Sequence, residues 1–309
     1  MSIQNKLNTD VFDHIARELD IPPYKYKEAM ERYGAIKRHL EAGDYPDSES
    51  VDVYMQGSFR YGTVIRPIQD GQESDYDIDI VCELNRDKSG DGAKQLKDDV
   101  GEEVKGYARK KSMAPPGNKR RCWVLEYAPD NSGIGFHVDI LPSLPDTASA
   151  ISIHQQNGNF VSTSWDYAKT TIAITNREGE HQDSRHTWRS SNPNGYAKWF
   201  REICEPGKTP DLIRTQKNRL FESNRDRDNF YARAEDIPDE LVRTPLQRSI
   251  QIMKRHRDMR FSGHESAKFK PISMVISTLA ARLYEGKADQ LTTTHEALDH
   301  IVTELSKHA

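Results

Sequence analysis

The stretch Tyr76-Asp-Ile-Asp-Ile-Val-Cys-Glu-Leu84 restricts the fold more than any other part of the chain. Polar and apolar residues alternate through its first half, which is the period of a strand, where residues two apart share a face. Ile78 and Ile80 then enter a core, and Asp77 and Asp79 project together from the opposite face. Two neighbouring carboxylates repel one another unless a cation lies between them, and hard divalent ions take oxygen ligands. A half-exposed sheet shows solvent the same pattern, so this pair alone leaves both readings open.

A third acid shifts the balance. Asp139 lies in Phe136-His-Val-Asp-Ile-Leu141, again between apolar residues. Two-metal phosphoryl transfer needs such a shared set of carboxylates, with ions about 3.5–4 Å apart clamping the attacking and leaving oxygens. His137 shares the strand face of Asp139 and reads as a neighbouring histidine rather than a ligand. Asp75 has the same parity as Asp77 and Asp79, so the pair could also be Asp75 and Asp77. Asp77 and Asp79 are preferred because bulky residues bracket each, whereas Asp75 follows Ser74 at a loop edge.

Upstream, Val51, Val53 and Met55 alternate as a strand over 51–56, and Gln56-Gly57-Ser58 then turns into a short helix. A Gly-Ser turn at a helix start offers backbone N–H groups and a hydroxyl to a phosphate. Glycine permits a close approach that a side chain would block. A lone Gly-Ser pair is weak; strand, Gly-Ser turn, short helix and Asp-x-Asp strand in succession are much stronger.

Hydrophobic spacing predicts a helix over 8–20 ended by Pro22 and Pro23, a second helix with Tyr26, Met30, Tyr33 and Leu40 on one face, a helix over 93–111, and strands at 123–127 and 136–140, the last ended by Pro142. The polar run 175–195 reads as a loop. Thr244, Pro245 and Gln247 form the N-cap, first position and capping box of a helix over 245–260, with Leu246, Ile250 and Met253 as its inner stripe. A further helix starts at Pro271, with Ile272, Val275, Ile276 and Leu279 on one face. The expected architecture is α+β: a mixed-sheet lobe over 1–165, a helical lobe over 166–309, and the active cleft between them.

Lys254, Arg255, His256, Arg257 and Arg260 crowd the 245–260 helix, with Asp258 as the nearby acid; Arg255, Arg257 and Arg260 read as a solvated face. Ser273 falls in the first turn of the next helix, where N–H groups favour anions.

Composition narrows the function classes. Lys plus Arg is 44 and Asp plus Glu 48, a net charge of −4, which argues against a dedicated duplex-DNA binder. No apolar run reaches the roughly 18 residues of a membrane span, and the N-terminus lacks a secretory pattern. The three cysteines, Cys82, Cys122 and Cys204, form no CxxC pair and predict no disulfides. A cytoplasmic setting without membrane contact is expected.

The pattern Gly57-Ser58, Asp77-x-Asp79 and Asp139 resembles the nucleotidyltransferase fold of the polymerase-β type. More closely, Gln56-Gly-Ser-Phe-Arg-Tyr-Gly-Thr-Val-Ile-Arg-Pro67 and Tyr76 to Leu84 resemble the bacterial cyclic GMP–AMP-synthase-like (DncV-like) enzymes of anti-phage CBASS signalling. So do Ser191-Asn-Pro-Asn-Gly-Tyr-Ala-Lys-Trp-Phe200, Leu246 to Asp258 and Lys270-Pro-Ile-Ser-Met274. The resemblance spans about residues 50 to 285, and many members continue further past the position of Leu283.

This resemblance implies a templateless transferase that makes a cyclic di- or trinucleotide from ribonucleoside triphosphates, ATP with GTP or others. Asp77, Asp79 and Asp139 would hold two Mg²⁺ ions, with Mn²⁺ able to substitute. Gln56, Gly57 and Ser58 would meet the donor triphosphate, and Lys254 and Ser273 would contact its phosphates from the helical lobe. A downstream effector activated by the cyclic nucleotide is implied as a partner; an activating protein partner is left open. The rival readings are a transferase that adds nucleotides to RNA or protein, and a non-catalytic nucleotide sensor on the same fold. A metal site at His181, Asp183 and His186 is the weakest alternative, because no further ligand lies nearby in the sequence.

Overall fold

The computed structural model describes residues 3–46, 48–69, 72–88, 92–129, 133–156, 165–179, 181, 184–224, 231–262 and 268–307. In chain order the elements begin with α1 (Ile3–Glu18), α2 (Pro23–Glu41), β1 (Val51–Gln56) and α3 (Gly57–Tyr61). Then come β2 (Ile68–Gln69), β3 (Gln72–Glu73), β4 (Tyr76–Leu84), α4 (Ala93–Lys110), β5 (Gly117–Asn118), β6 (Trp123–Tyr127) and β7 (Phe136–Pro145). Next are α5 (Thr147–Gln156), α6 (Trp165–Ala168), β8 (Ile172–Arg177), β9 (His186–Ser191) and α7 (Pro193–Cys204). The last are α8 (Pro210–Asn224), α9 (Pro245–Phe261), α10 (Ser273–Tyr284) and α11 (Thr294–Ser306).

The chain divides into two compact units that interleave along the sequence. One comprises Met1–Lys27, Tyr61–Ser74 and Phe200–Ala309; the other comprises Glu28–Arg60 and Asp75–Trp199. The sequence places a single division at 165/166. The difference arises because the sheet does not end there: β8 pairs with β7, and β9 with β8, so the strand-bearing unit runs on to Trp199.

Within that unit, the described strands form one mixed sheet in the order β1-β4-β7-β6-β5, with β8 and β9 joined through the far end of β7. β4 and β7 run parallel, and the other pairings are antiparallel. Ile78, Ile80, Val138, Ile140 and Leu125 are fully buried, and α4 packs on this sheet through Leu96, Val100 and Val104. Gly101 admits the Trp123 ring: a Cβ there would lie 2.4 Å from a ring carbon.

Two sequence expectations change here. The 175–195 stretch is not a loop but holds the end of β8, β9 and the start of α7. Every residue of β8 is buried, its polar side chains included. Thr175 donates to Arg121 O at 3.2 Å, and Asn176 Oδ1 accepts from Arg121 Nε at 3.2 Å. Pro142 does not end β7, because β6 pairs only as far as Ile140 and β8 begins at Ser143. The proline therefore occupies the gap between successive partners on that side, where β7 needs no ladder hydrogen bond.

The other unit is largely helical: α9 packs against α1, α10 and α11. Thr244 caps α9 as the sequence predicts, with Oγ1 accepting from Gln247 N at 3.3 Å and Gln247 Oε1 accepting from Thr244 N at 2.9 Å. Gln247 also donates to Tyr61 O at 2.8 Å. Leu246 and Ile250 are fully buried, while Met253 is half-buried. α9 is tied to the end of α1 by charge: Arg248 donates to Asp20 Oδ2 at 2.6 Å and Gln251 to Asp20 Oδ1 at 3.0 Å.

The helix expected from Pro271 begins at Ser273 and buries a different face. Ile272, Val275 and Leu279 are exposed, and only Ile276 of the expected stripe is inside. The inward positions are Ile276, Ser277, Ala280, Ala281 and Tyr284. α10 packs against both α9 and α11, and small residues at the contact let helix backbones approach closely. Among the described residues, no helix is long and apolar enough to cross a membrane.

Candidate active site

The sheet register assembles the acids. On the parallel pair β4 and β7, Asp79 lies opposite Asp139 and Asp77 opposite His137. Their neighbours Tyr76, Ile78, Ile80, Phe136, Val138 and Ile140 are buried on the other face, so alternation turns all four polar side chains the same way. Asp79 and Asp139 are half-buried, and Asp77 is the most open.

β1 brings the Gly-Ser turn to the same place. Gln56, its last residue, is the register partner of Asp79. Gly57 follows with φ +70°, and a Cβ on it would lie 2.1 Å from Asp79 Oδ2. Both facts demand glycine: L side chains rarely adopt that backbone, and the carboxylate occupies the space a methyl would need. Ser58, half-buried, is the second residue of the short helix α3. Arg60 in that helix donates to Met55 O at 3.0 Å and to Asn194 Oδ1 at 2.7 Å. The residues Gln56, Gly57, Ser58, Asp77, Asp79 and Asp139 thus lie together on one face of one unit.

The carboxyls at 77 and 139 are held above the ordinary range. At both, displacement of water by surrounding protein is the largest cause. Asp77 leaves 72% of its side-chain surface open, yet the flanking protein and the charges of Asp139 and Asp75 outweigh the opposing pull of His137. Asp139 accepts a hydrogen bond from the Cys122 thiol, whose own titration is pushed up to about 12 by burial and the adjacent carboxylates. No local pattern signals this contact, since Cys122 lies just before β6 and reads as an ordinary core residue.

The donor chemistry fits a hard divalent cation: three carboxylates on one face, two of them made costly to ionise by their surroundings. Among the described residues, no three His, Cys, Asp or Glu side chains already converge on one point. Asp139 is turned to Cys122 and Asp77 to His137, so the carboxylates share the face while directed at protein neighbours.

Lys254 and Ser273 belong to the other unit. Lys254 is buried and donates to Thr63 O at 2.7 Å. Ser273 Oγ accepts from Arg257 Nη1 at 2.9 Å. Arg255 and Arg257 are not a solvated face: Arg255 donates to Arg66 O at 2.6 Å, and Arg257 to Asp258 and to Pro271 O. Of the alternative metal set, Asp183 lies outside the described residues, His181 is exposed, and His186 starts β9. The three cysteines are free thiols.

Residues 51–142 match the family described as cyclic GMP-AMP synthase DncV-like, nucleotidyltransferase domain. The chain is 24% identical over 300 residues to a c-di-GMP synthase of Roseivirga ehrenbergii, covering 97% of this chain and 65% of that protein. It is 24% identical over 276 residues to the cyclic dinucleotide synthase CdnG of Bradyrhizobium diazoefficiens, covering 86% of this chain and 56% of that protein. It therefore spans less than two thirds of the length of either relative. Among solved structures, the Bradyrhizobium diazoefficiens CdnG in complex with GTP superposes with a TM-score of 0.67 at 21% identity, covering 96% of this chain and 75% of that one. The CdnC of E. coli MS115-1 with ATP superposes at 0.54 and 13% identity, covering 97% and 71%. The matched segment contains β1, the Gly-Ser turn, the Asp-x-Asp strand and the Asp139 strand. The α+β fold is shared with the solved synthases, and the segment 51–142 is similar to the DncV-like nucleotidyltransferase domain.

Proposed function

We propose that the protein is a templateless nucleotidyltransferase that joins ribonucleoside triphosphates into a cyclic oligonucleotide second messenger. The observation that carries this reading is the register that sets Asp79 beside Asp139, with the Gly57 backbone packed against Asp79. In this reading Asp77, Asp79 and Asp139 hold two Mg²⁺ ions, which Mn²⁺ can replace. Such ions lower the pKa of the attacking hydroxyl and neutralise charge that develops at the α-phosphate.

The chain's own groups have separate parts. The Gly57-Ser58 turn presents N–H groups and a hydroxyl to the donor triphosphate, and Gly57 keeps the approach open. The carboxylates fix where the ribose hydroxyl of the second nucleotide meets the α-phosphate, and pyrophosphate leaves in line. Holding the partners in that geometry supplies much of the acceleration. Lys254 and Ser273 are read as further contacts to the donor phosphates. The linear product then re-enters, its free ribose hydroxyl attacks its own remaining α-phosphate, and a second pyrophosphate leaves as the ring closes. The curated relatives' names, c-di-GMP synthase and cyclic dinucleotide synthase, favour a two-membered ring with guanine among its bases. The product's partner is a cyclic-nucleotide-activated effector in an anti-phage pathway, and the setting is cytoplasmic. Transfer to RNA or protein has less support, since the chain carries a net −4 charge and no broad basic tract.

The test incubates the full chain with the four ribonucleoside triphosphates and Mg²⁺ or Mn²⁺, then phosphatase, then mass spectrometry. A resistant product that is lost in the D77A/D79A double variant is expected. Equal product from that variant would overturn the metal assignment. Nucleotide addition to RNA in place of a resistant product would favour the rival transferase.

A further inference from the structure

Asp75 has the parity of the metal-site acids, but it is directed elsewhere. Its Oδ1 accepts from Gly135 N at 2.6 Å, just before β7. Tyr76 N donates to Gly135 O at 3.2 Å, so the entries of β4 and β7 are fastened together at this point. Gly135 is itself constrained: a Cβ would lie 2.6 Å from Tyr127 O and 3.3 Å from Asp75 Oδ1. The glycine admits the carboxylate to the strand edge.

From that anchor, Asp75 Oδ2 faces His137 Nε2 at 3.3 Å. The ring's other nitrogen, Nδ1, faces Asp77 Oδ1 at 3.6 Å. Asp77 and His137 are direct register partners, so the ring stands against this carboxylate by strand geometry rather than by a loop's choice. A chain of contacts therefore runs from the Gly135 backbone through Asp75 and His137 to Asp77.

We infer that Asp75 and His137 are positioning residues: Asp75 fixes the imidazole ring, and the ring fixes the Asp77 carboxylate for the cation. This rests on the metal reading of Asp77 proposed above and adds to it. A carboxylate on an open strand face rotates freely about two side-chain bonds. The ring blocks one side and engages Oδ1, which leaves Oδ2 to turn toward Asp79 and Asp139. Partners that orient a ligating side chain contribute about 10–100-fold to metal affinity.

The experiment titrates the full chain with Mn²⁺ alone, following free Mn²⁺ by electron paramagnetic resonance, with thermal melting in parallel. Variants are D77A, H137A, H137N and D75N. D77A is expected to weaken Mn²⁺ binding most. H137A and D75N are expected to weaken it at least about 10-fold without a matching loss of melting temperature. H137N, whose amide nitrogen reaches the place of Nδ1, should recover part of that loss. Loss of Mn²⁺ affinity in D77A with wild-type affinity in both H137A and D75N would overturn the inference alone. Wild-type affinity in D77A would overturn the inference and the metal reading together. A purely structural histidine would lower the melting temperature and leave Mn²⁺ affinity unchanged.

Discussion

Replacing Gly57 with alanine puts a methyl group where Asp79 Oδ2 already lies, 2.1 Å from the new carbon. Ordinary carbon–oxygen contacts begin near 3.3 Å, so the carboxylate must retreat by about 1 Å. A separate cost comes from the backbone, because φ +70° in an L-residue is unfavourable by roughly 1–2 kcal/mol. Gly286 separates the two effects: its φ is +73°, and nothing lies within 4 Å of a Cβ there. G286A should thus pay the backbone cost alone. Both variants are expected to melt a few degrees lower, at about 2–4 °C per kcal/mol for a domain of this size. Only G57A should lose turnover, by about 10²-fold, the usual consequence of a 1 Å misplacement at a reacting centre. That loss corresponds to about 2.7 kcal/mol of barrier. Melting curves and initial rates of product formation from nucleoside triphosphates measure both quantities. Equal turnover in G57A and G286A would refute the idea that the glycine exists to admit Asp79.

Three further predictions concern the scaffold. T244A removes the acceptor that caps α9 and should cost about 1 kcal/mol in urea unfolding. D20A leaves Arg248 and Arg243 buried without their shared carboxylate and should destabilise the chain by roughly 3–5 kcal/mol, read by the same method. Lys97 is buried, donates to Lys119 O, and has its pKa lowered from 10.5 to about 8 by burial and by the Arg177 charge. Between these values the unfolded chain binds the extra proton, so stability should rise as pH climbs from 8 toward 10.5. K97M should flatten that rise relative to wild type; an identical pH slope in the variant would count against the assignment.

Legibility in the sequence followed periodicity. Tyr76–Leu84 is a strand with the boundaries its alternation implies, and the α9 cap is where Thr244 and Gln247 place it. The Gly-Ser turn could be read as a motif, but its contact with Asp79 could not. That contact depends on Gln56 pairing with Asp79 across two strands, a register no local pattern encodes. β8 was hidden because Thr175, Asn176 and Arg177 are polar, and their burial is repaid by partners at 118–121, far away in sequence. On α10 the apolar spacing predicts the inner face, whereas small residues hold the packed side and leave Val275 and Leu279 outside. Asp75 carried the right parity but no signal of its partner, since Gly135 lies 60 positions downstream.

The pairing of β4 with β7 has a consequence for how such a site can change over time. What places Asp79 beside Asp139 is odd-and-even parity on two strands, not the length of chain between them. The excursion through α4, β5 and β6 can lengthen or shorten at its turns while the acids keep their places. One residue gained or lost between His137 and Asp139 would instead put the two on opposite faces and turn one of them into the core. The site is thus tolerant of large edits and intolerant of the smallest one, according to where the edit falls.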